Sequence, residues 1–355
     1  MTRDVAELAR PDDQRREEND FVARARDLIP SLRERAAETE TLRRIPDSVE
    51  RDFRAAGLYR IMQPKRYGGA ELPYGAHTRV AWEIGRGCVS SAWALSVTAC
   101  HSWILGMFPR QAQDEFWGRD PEATVASTFL SVGHEAKAVD DGLDLIGRWR
   151  FSSNVDQCQG CIVIVMLPQE NGPPRQYFAL LNRDDYVIEA TWDVAGLGGT
   201  GSNDVVVEAV HVPAHRLLDV MTTRDASTPG SQDNTGDLYN MPLFAPFAHS
   251  LVGAAVGGAQ GMLDLLLEDL VDKQSAAGAK LAAQHSVQLR IAEATAEVSA
   301  ARAILEADRI RILAGAAARE LPTYEERVGY RLNAGYAAKL AVQAVDRLLP
   351  LTGGR

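Results

Sequence analysis

The spacing of apolar residues changes character twice along the chain. From about Arg15 to Trp117 it follows a helical period. Leu28, Leu32 and Ala36 share one stripe among Arg and Glu, which predicts an amphipathic helix over Asp20 to Leu42. Pro46 can open the next helix, with Val49, Phe53 and Leu58 turned inward and Gly57 near its end. Paired glycines in Gln63-Pro64-Lys65-Arg66-Tyr67-Gly68-Gly69 predict a loop, because glycine permits backbone that other residues resist. Ser90 to Phe108 is apolar on nearly every face, the pattern of a buried helix.

Between Thr124 and His215 the pattern becomes short strands and turns. A strand over Leu143 to Phe151 follows the turn Asp140-Asp141-Gly142, and further strands are predicted at Thr124 to Ala126, Cys161 to Leu167, Tyr177 to Leu181 and Asp204 to Val212. Their spacing fits a small antiparallel barrel or sandwich. Met221 to Gly236 is rich in Ser, Thr, Asp and Gly and reads as a linker. Long helices follow over Phe247 to Val271, Lys280 to Ala317 and Tyr324 to Leu349, enough for an antiparallel bundle. The chain is therefore expected to be α+β: an N-terminal helical domain (1–121), a central β-barrel domain (122–222) and a C-terminal helical bundle (237–355). All-α, then all-β, then all-α narrows the fold more than any single residue does.

Composition changes this picture little. Of 355 residues, 46% are hydrophobic and 24% charged, as in ordinary globular domains. The net charge of −10 is spread along the chain, which argues against a nucleic-acid partner. No apolar run approaches the roughly 20 residues of a membrane span, so no membrane partner is expected. Met1 to Asp20 is charged and lacks the apolar middle of a secretory signal, so a cytoplasmic protein with a frayed N-terminus is expected. Cys88, Cys100, Cys158 and Cys161 are too few for a disulfide framework. Cys158 and Cys161 have the spacing of half a zinc knuckle, but no second pair completes four ligands. Gly196, Gly198 and Gly201 spell a dinucleotide-binding turn, yet Val205 to Val210 after them reads as strand where that motif needs a helix.

Several local sequences resemble one family. Met62 to Gly69 is similar to the Pro-x-x-Tyr-Gly-Gly loop of the acyl-CoA dehydrogenase superfamily. Gly196 to Asp204, followed by Val212-Pro213, resembles its Gly-x-x-Gly-Thr-Gly-Ser segment and following Val-Pro. Gly147-Arg148-Trp149-Arg150-Phe151-Ser152-Ser153 and His101-Ser102-Trp103 look most like the flavin-dependent aromatic hydroxylases within it. The resemblance implies an acyl-CoA dehydrogenase-like fold and the oxygenase component of a two-component monooxygenase. Such a protein takes reduced FMN or FADH2 from a separate NAD(P)H:flavin reductase, holds O2 as a C4a-hydroperoxide and hydroxylates an aromatic or polyketide-like small molecule. The absence of a nicotinamide motif agrees with an external reductase.

By resemblance, Ser152 or Ser153 meets flavin N5, and His101 binds the substrate hydroxyl, since imidazole can accept a phenol proton near neutral pH. Ser127 would line the same cavity, with Trp103, Phe129, Gln157 and His249 as further pocket candidates. Phe108, Phe244 and Phe247 would suit a planar ring. Lys273, Lys280 and Arg355 are candidates for the flavin phosphate. Two positions depart from the family. Gln157 stands where the hydroxylases commonly carry His, and glutamine cannot exchange protons at neutral pH. The chain ends at Leu351-Thr352-Gly353-Gly354-Arg355, where the family continues into further helix. Two alternatives remain: an acyl-CoA dehydrogenase or oxidase, which needs a carboxylate base that Asn240 to Gln260 does not supply, and a drifted scaffold catalysing a non-redox biosynthetic step. Small residues along the bundle helices predict self-association, and the family resemblance implies a homotetramer.

Overall fold

The computed structural model describes residues 12–169, 171–271, 273–274, 278 and 280–352. Seven α-helices come first among them: α1 (Asp12–Asp27), α2 (Ile29–Glu34), α3 (Ala36–Leu42), α4 (Asp47–Ala55), α5 (Ala76–Gly85), α6 (Val89–Leu105) and α7 (Arg110–Trp117). The single helix expected over Asp20 to Leu42 is broken at Leu28 and Arg35. Pro30 has no amide hydrogen for the helical ladder, so it begins a new helix instead of extending α1. The inward stripe survives the breaks, with Phe21, Val22, Ala25, Ile29 and Leu32 all buried.

Eight strands follow: β1 (Val125–Thr128), β2 (Leu130–Val139), β3 (Gly142–Ser152), β4 (Gly160–Leu167), β5 (Arg175–Asn182), β6 (Val187–Glu189), β7 (Asn203–Pro213) and β8 (Leu217–Asp219). They form two four-stranded sheets, in the orders β1-β4-β5-β8 and β2-β3-β7-β6. The closed antiparallel barrel expected from the sequence is not formed, and β1 pairs with β4 in parallel. The reason lies at Phe129: β1 and β2 are successive runs of one path that leaves the first sheet and enters the second there. Trp149, Cys161, Val163, Leu181 and Val205 fill the space between the sheets. The other face of the first sheet, with Val125, Ile162, Phe178 and Leu180, joins the helical core. No strand was expected at β2, because it is largely solvent-facing and its alternation is masked by polar residues.

The segment read as a linker is packed structure. It contains α8 (Pro229–Asp233), and Thr223, Thr228 and Asn234 are buried. Asn234 donates to the Gly106 carbonyl at 2.8 Å, so the segment is fastened to the end of α6. Its polar composition serves these internal hydrogen bonds.

The bundle consists of α9 (His249–Leu270), α10 (His285–Ala318) and α11 (Tyr324–Leu348). α9 is long and apolar enough by composition to cross a membrane, but half of its apolar window is buried inside the protein. Its Gly253, Gly257 and Gly261 lie against the backbone of Thr78, Trp82 and Arg86. Close approach of α9 to α5 is what these glycines permit.

Candidate active site

One stripe of α6 brings the site together. Ser90, Trp93, Val97 and His101 recur at helical spacing on one face of α6. Ser90 donates to Glu40 of α3, and Trp93 Nε1 donates to Ser153 Oγ at 3.1 Å. His101 lies 2.7 Å by its Nε2 from Ser127 Oγ and 3.2 Å by its Nδ1 from the Val125 carbonyl. A carbonyl only accepts, so Nδ1 carries the proton and Nε2 accepts from the Ser127 hydroxyl. Burial pushes the His101 pKa down to about 4, partly opposed by the Val125 hydrogen bond, and the ring is neutral at pH 7.

The adjacent serines behave differently. Ser153 Oγ is 2.7 Å from Ser202 Oγ, which is 2.7 Å from Thr200 Oγ. Thr200 donates to the Leu197 carbonyl at 3.0 Å, so the chain runs from Trp93 through Ser153, Ser202 and Thr200 to a carbonyl. Ser152 Oγ has only long contacts, 3.4 Å to the Ser127 carbonyl and 3.5 Å to Cys161 Sγ. Its hydroxyl is the less committed of the two. Phe151, just before them, has φ of 64° and is exposed, edge-on to Trp192 at 5.8 Å. A left-handed phenylalanine is strained, and it coincides with a register shift in β3 between Trp149 and Ser152.

His101, Ser127 and Ser152 therefore come together where α6, β1 and β3 join, Ser152 through the Ser127 backbone carbonyl, while Ser153 turns to Trp93 and Ser202. All four side chains are buried, so in the single chain this junction is closed. A hollow of about 910 Å³ beside Glu40, Ser90 and Leu197 runs along α9, and these four residues are not in its wall. Phe129 does stand beside the site, with its ring 5.1 Å from Phe178 and 5.9 Å from Phe247.

Other sequence candidates lie elsewhere. Trp103 is two residues from His101, which turns it to the opposite side of α6. It is fully buried and packs on Tyr74 at 5.6 Å. Phe108 is likewise interior to the helical core. Gln157 faces α4, where its amide donates to Asp47 Oδ1 at 3.2 Å. His249 belongs to the bundle: Nε2 is 3.1 Å from Asp308 Oδ2, and Asn333 donates to the other Asp308 oxygen at 2.8 Å. Lys273, beyond the far end of α9, donates to Asp269 at 2.9 Å and to the Thr352 carbonyl at 3.2 Å. Lys280 is exposed near it and pairs by backbone with Gln274. Arg355 lies outside the described residues.

Cys158 and Cys161 are buried thiols, and burial pushes Cys161 up to about 12 and Cys158 up as well. Among the described residues no further His, Cys, Asp or Glu comes together with them to complete a metal site. The glycine-rich segment forms a short 3-10 turn at Gly198–Thr200 and leads into β7, as its sequence predicts. Trp93 is not singled out from the sequence. Trp93 lies two turns before His101 on one face, and that spacing was the available signal.

Helices, paired sheets and a terminal bundle in this order define a class. Family models for the acyl-CoA dehydrogenase N-terminal and C-terminal domains match residues 15–119 and 249–355. The chain belongs to the acyl-CoA dehydrogenase superfamily, in its branch of two-component flavin-dependent hydroxylases. It is 34% identical over 331 residues to the flavin-dependent monooxygenase oxygenase subunit HsaA of Rhodococcus jostii, covering 92% of this chain and 86% of that one. It is 33% identical over 345 residues to the FADH(2)-dependent resorcinol hydroxylase oxygenase component of a Rhizobium species, covering 94% and 84%. Among solved structures, 3-HSA hydroxylase from a Rhodococcus species superimposes with a TM-score of 0.89 at 31% identity, covering 94% and 86%.

Proposed function

We propose that this protein is the oxygenase component of a two-component flavin-dependent monooxygenase that hydroxylates a phenolic small molecule with externally reduced FMN or FADH2 and O2. The observation that carries this reading is the neutral His101–Ser127 pair, 2.7 Å apart, in a chain 34% identical to such an oxygenase subunit. The donor set fits a reduced flavin, because the loosely held Ser152 hydroxyl can turn to a ring nitrogen that carries a proton. When bound, the reduced flavin supplies the two electrons that O2 needs.

The chain's own residues bind and orient. Ser152 would accept a hydrogen bond from flavin N5–H and so help keep that proton on the nitrogen, and Ser153 holds the turn through Trp93 and Ser202. With its pKa lowered to about 4, His101 does not take the phenol proton near neutral pH as the sequence suggests. Its Nε2 instead accepts a hydrogen bond from the substrate hydroxyl, directly or through Ser127, which polarises the O–H bond and enriches the ring for attack by an electrophilic oxygen. The Val125 carbonyl fixes the tautomer that leaves Nε2 free to accept. Burial excludes water from the junction. Lys273 bonds Asp269 and the Thr352 carbonyl, both in the wall of the hollow along α9, and would meet a flavin phosphate from there.

The partners follow from the reaction: a separate NAD(P)H:flavin reductase and a small aromatic substrate. A cytoplasmic homotetramer acting in a biosynthetic pathway completes the proposal. The test supplies purified protein with a flavin reductase, NADH, FMN or FAD, and a panel of phenols, and follows hydroxylated product. Product that requires this chain is expected. Absence of product together with reduction of an artificial acceptor by acyl-CoA would favour a dehydrogenase instead.

A further inference from the structure

Beside the His101–Ser127 pair the first sheet carries a wall of aromatic rings. Ser127 pairs with Ile162 and Ile162 with Leu180, while one step of two residues further along, Ile164 pairs with Phe178. Phe129, at the corner just after β1, sets its ring 5.1 Å from that of Phe178. Side chains two apart share a sheet face and stand about 6.6 Å apart, so this second row is the immediate neighbour of the first. The segment before α9 closes the row, with Phe244 6.4 Å from Phe178 and 6.1 Å from Phe247, and Phe247 5.9 Å from Phe129. Phe178 is fully buried, while Phe129, Phe244 and Phe247 are half-buried and keep part of their surface uncovered.

The wall made by Phe129, Ile164, Phe178, Phe244 and Phe247 offers no charge and no side-chain hydrogen-bond donor or acceptor. A carboxylate placed against it would lose its water without gaining a partner. An alkyl chain or a second ring would instead bury apolar surface. We infer that the substrate is a phenol whose hydroxyl meets His101 and Ser127 and whose ring bears an uncharged, apolar substituent seated against this wall. This inference rests on the oxygenase reading and adds the substrate class to it.

The test compares 4-isobutylphenol with 4-hydroxyphenylacetate, which share the phenol and differ in an apolar against a carboxylate tail of equal heavy-atom count. Binding to the full chain with reduced flavin under anaerobic conditions is measured by calorimetry. The apolar phenol is expected to bind at least about 30-fold more tightly. Phe244→Arg is expected to narrow that ratio at least tenfold, and Phe244→Leu, which keeps the wall apolar, to preserve it. Equal affinities, a preference for the acetate, or no binding of either phenol while reduced flavin still binds would overturn the inference and leave the oxygenase reading standing. An unchanged ratio in a folded Phe244→Arg would also overturn the placement. Failure of the wild-type chain to bind reduced flavin would instead sink the oxygenase reading itself.

Discussion

Burial holds two imidazoles neutral in this protein, His101 at about 4 and His77 at about 3, both below the ordinary value of 6.5. The folded state resists their protonation while the unfolded chain accepts it near pH 6.5. The stability they contribute is therefore complete above that pH and is lost as pH falls towards the folded values. Each group costs about 1.4 kcal/mol per pH unit in that window. The thermal midpoint is expected to fall between pH 6.5 and 5, and His77→Leu to flatten the slope, because neither His77 ring nitrogen has a hydrogen-bond partner among the described residues. A midpoint constant over that window would contradict the assignment. The two serines make a second pair of expectations. Ser153→Ala breaks the chain from Trp93 to Thr200 and should lower stability by about 1–2 kcal/mol in denaturant melts. Ser152→Ala removes only long contacts, so it should unfold like wild type while a larger share of reduced flavin is oxidised without product.

At the scale of elements, helix contacts and strand corners position the site. The α5–α9 contact depends on glycine, because a Cβ at Gly257 would run into the Trp82 carbonyl. Gly257→Ala is expected to destabilise by about 1–3 kcal/mol, the usual cost of forcing an extra carbon into a packed contact, read as a lower urea midpoint. Gly335→Ala on α11, where nothing lies within 4 Å, is the control and should not destabilise a single chain. Most long elements were legible from periodicity, including α6 and β3, because a buried helix and a half-buried strand imprint their own spacing. The break at Pro30 and the exposed strand β2 were less legible. The packed segment from Met221 to Gly236 was misread for a related reason: polar residues satisfied inside a fold look like polar residues in water.

At the scale of the whole molecule, α11 leaves a row of large apolar side chains in solvent, with Tyr324 78%, Leu332 68% and Val342 58% exposed. An uncovered face of this kind is a mark of association. Light scattering after gel filtration should report a multiple of the 38.7 kDa chain mass, and Leu332→Asp should lower it. A monomer at micromolar concentration would remove this support for a tetramer.

The amino-acid order alone determined the succession of helical, sheet and helical regions, since burial of an apolar face writes a period of 3.6 or 2 into any sequence. It also marked His101 and the serine pair, because the motifs around them resemble those of a known family. Only the tertiary structure decided which candidates meet. Trp103 and His101 are neighbours in sequence and point to opposite sides of one helix. Ser127 and His101 are 26 residues apart and touch. Contacts between distant segments depend on how faces pack and where a strand turns its corner at Phe129. A linear pattern records which face is buried, and leaves open what that face is buried against.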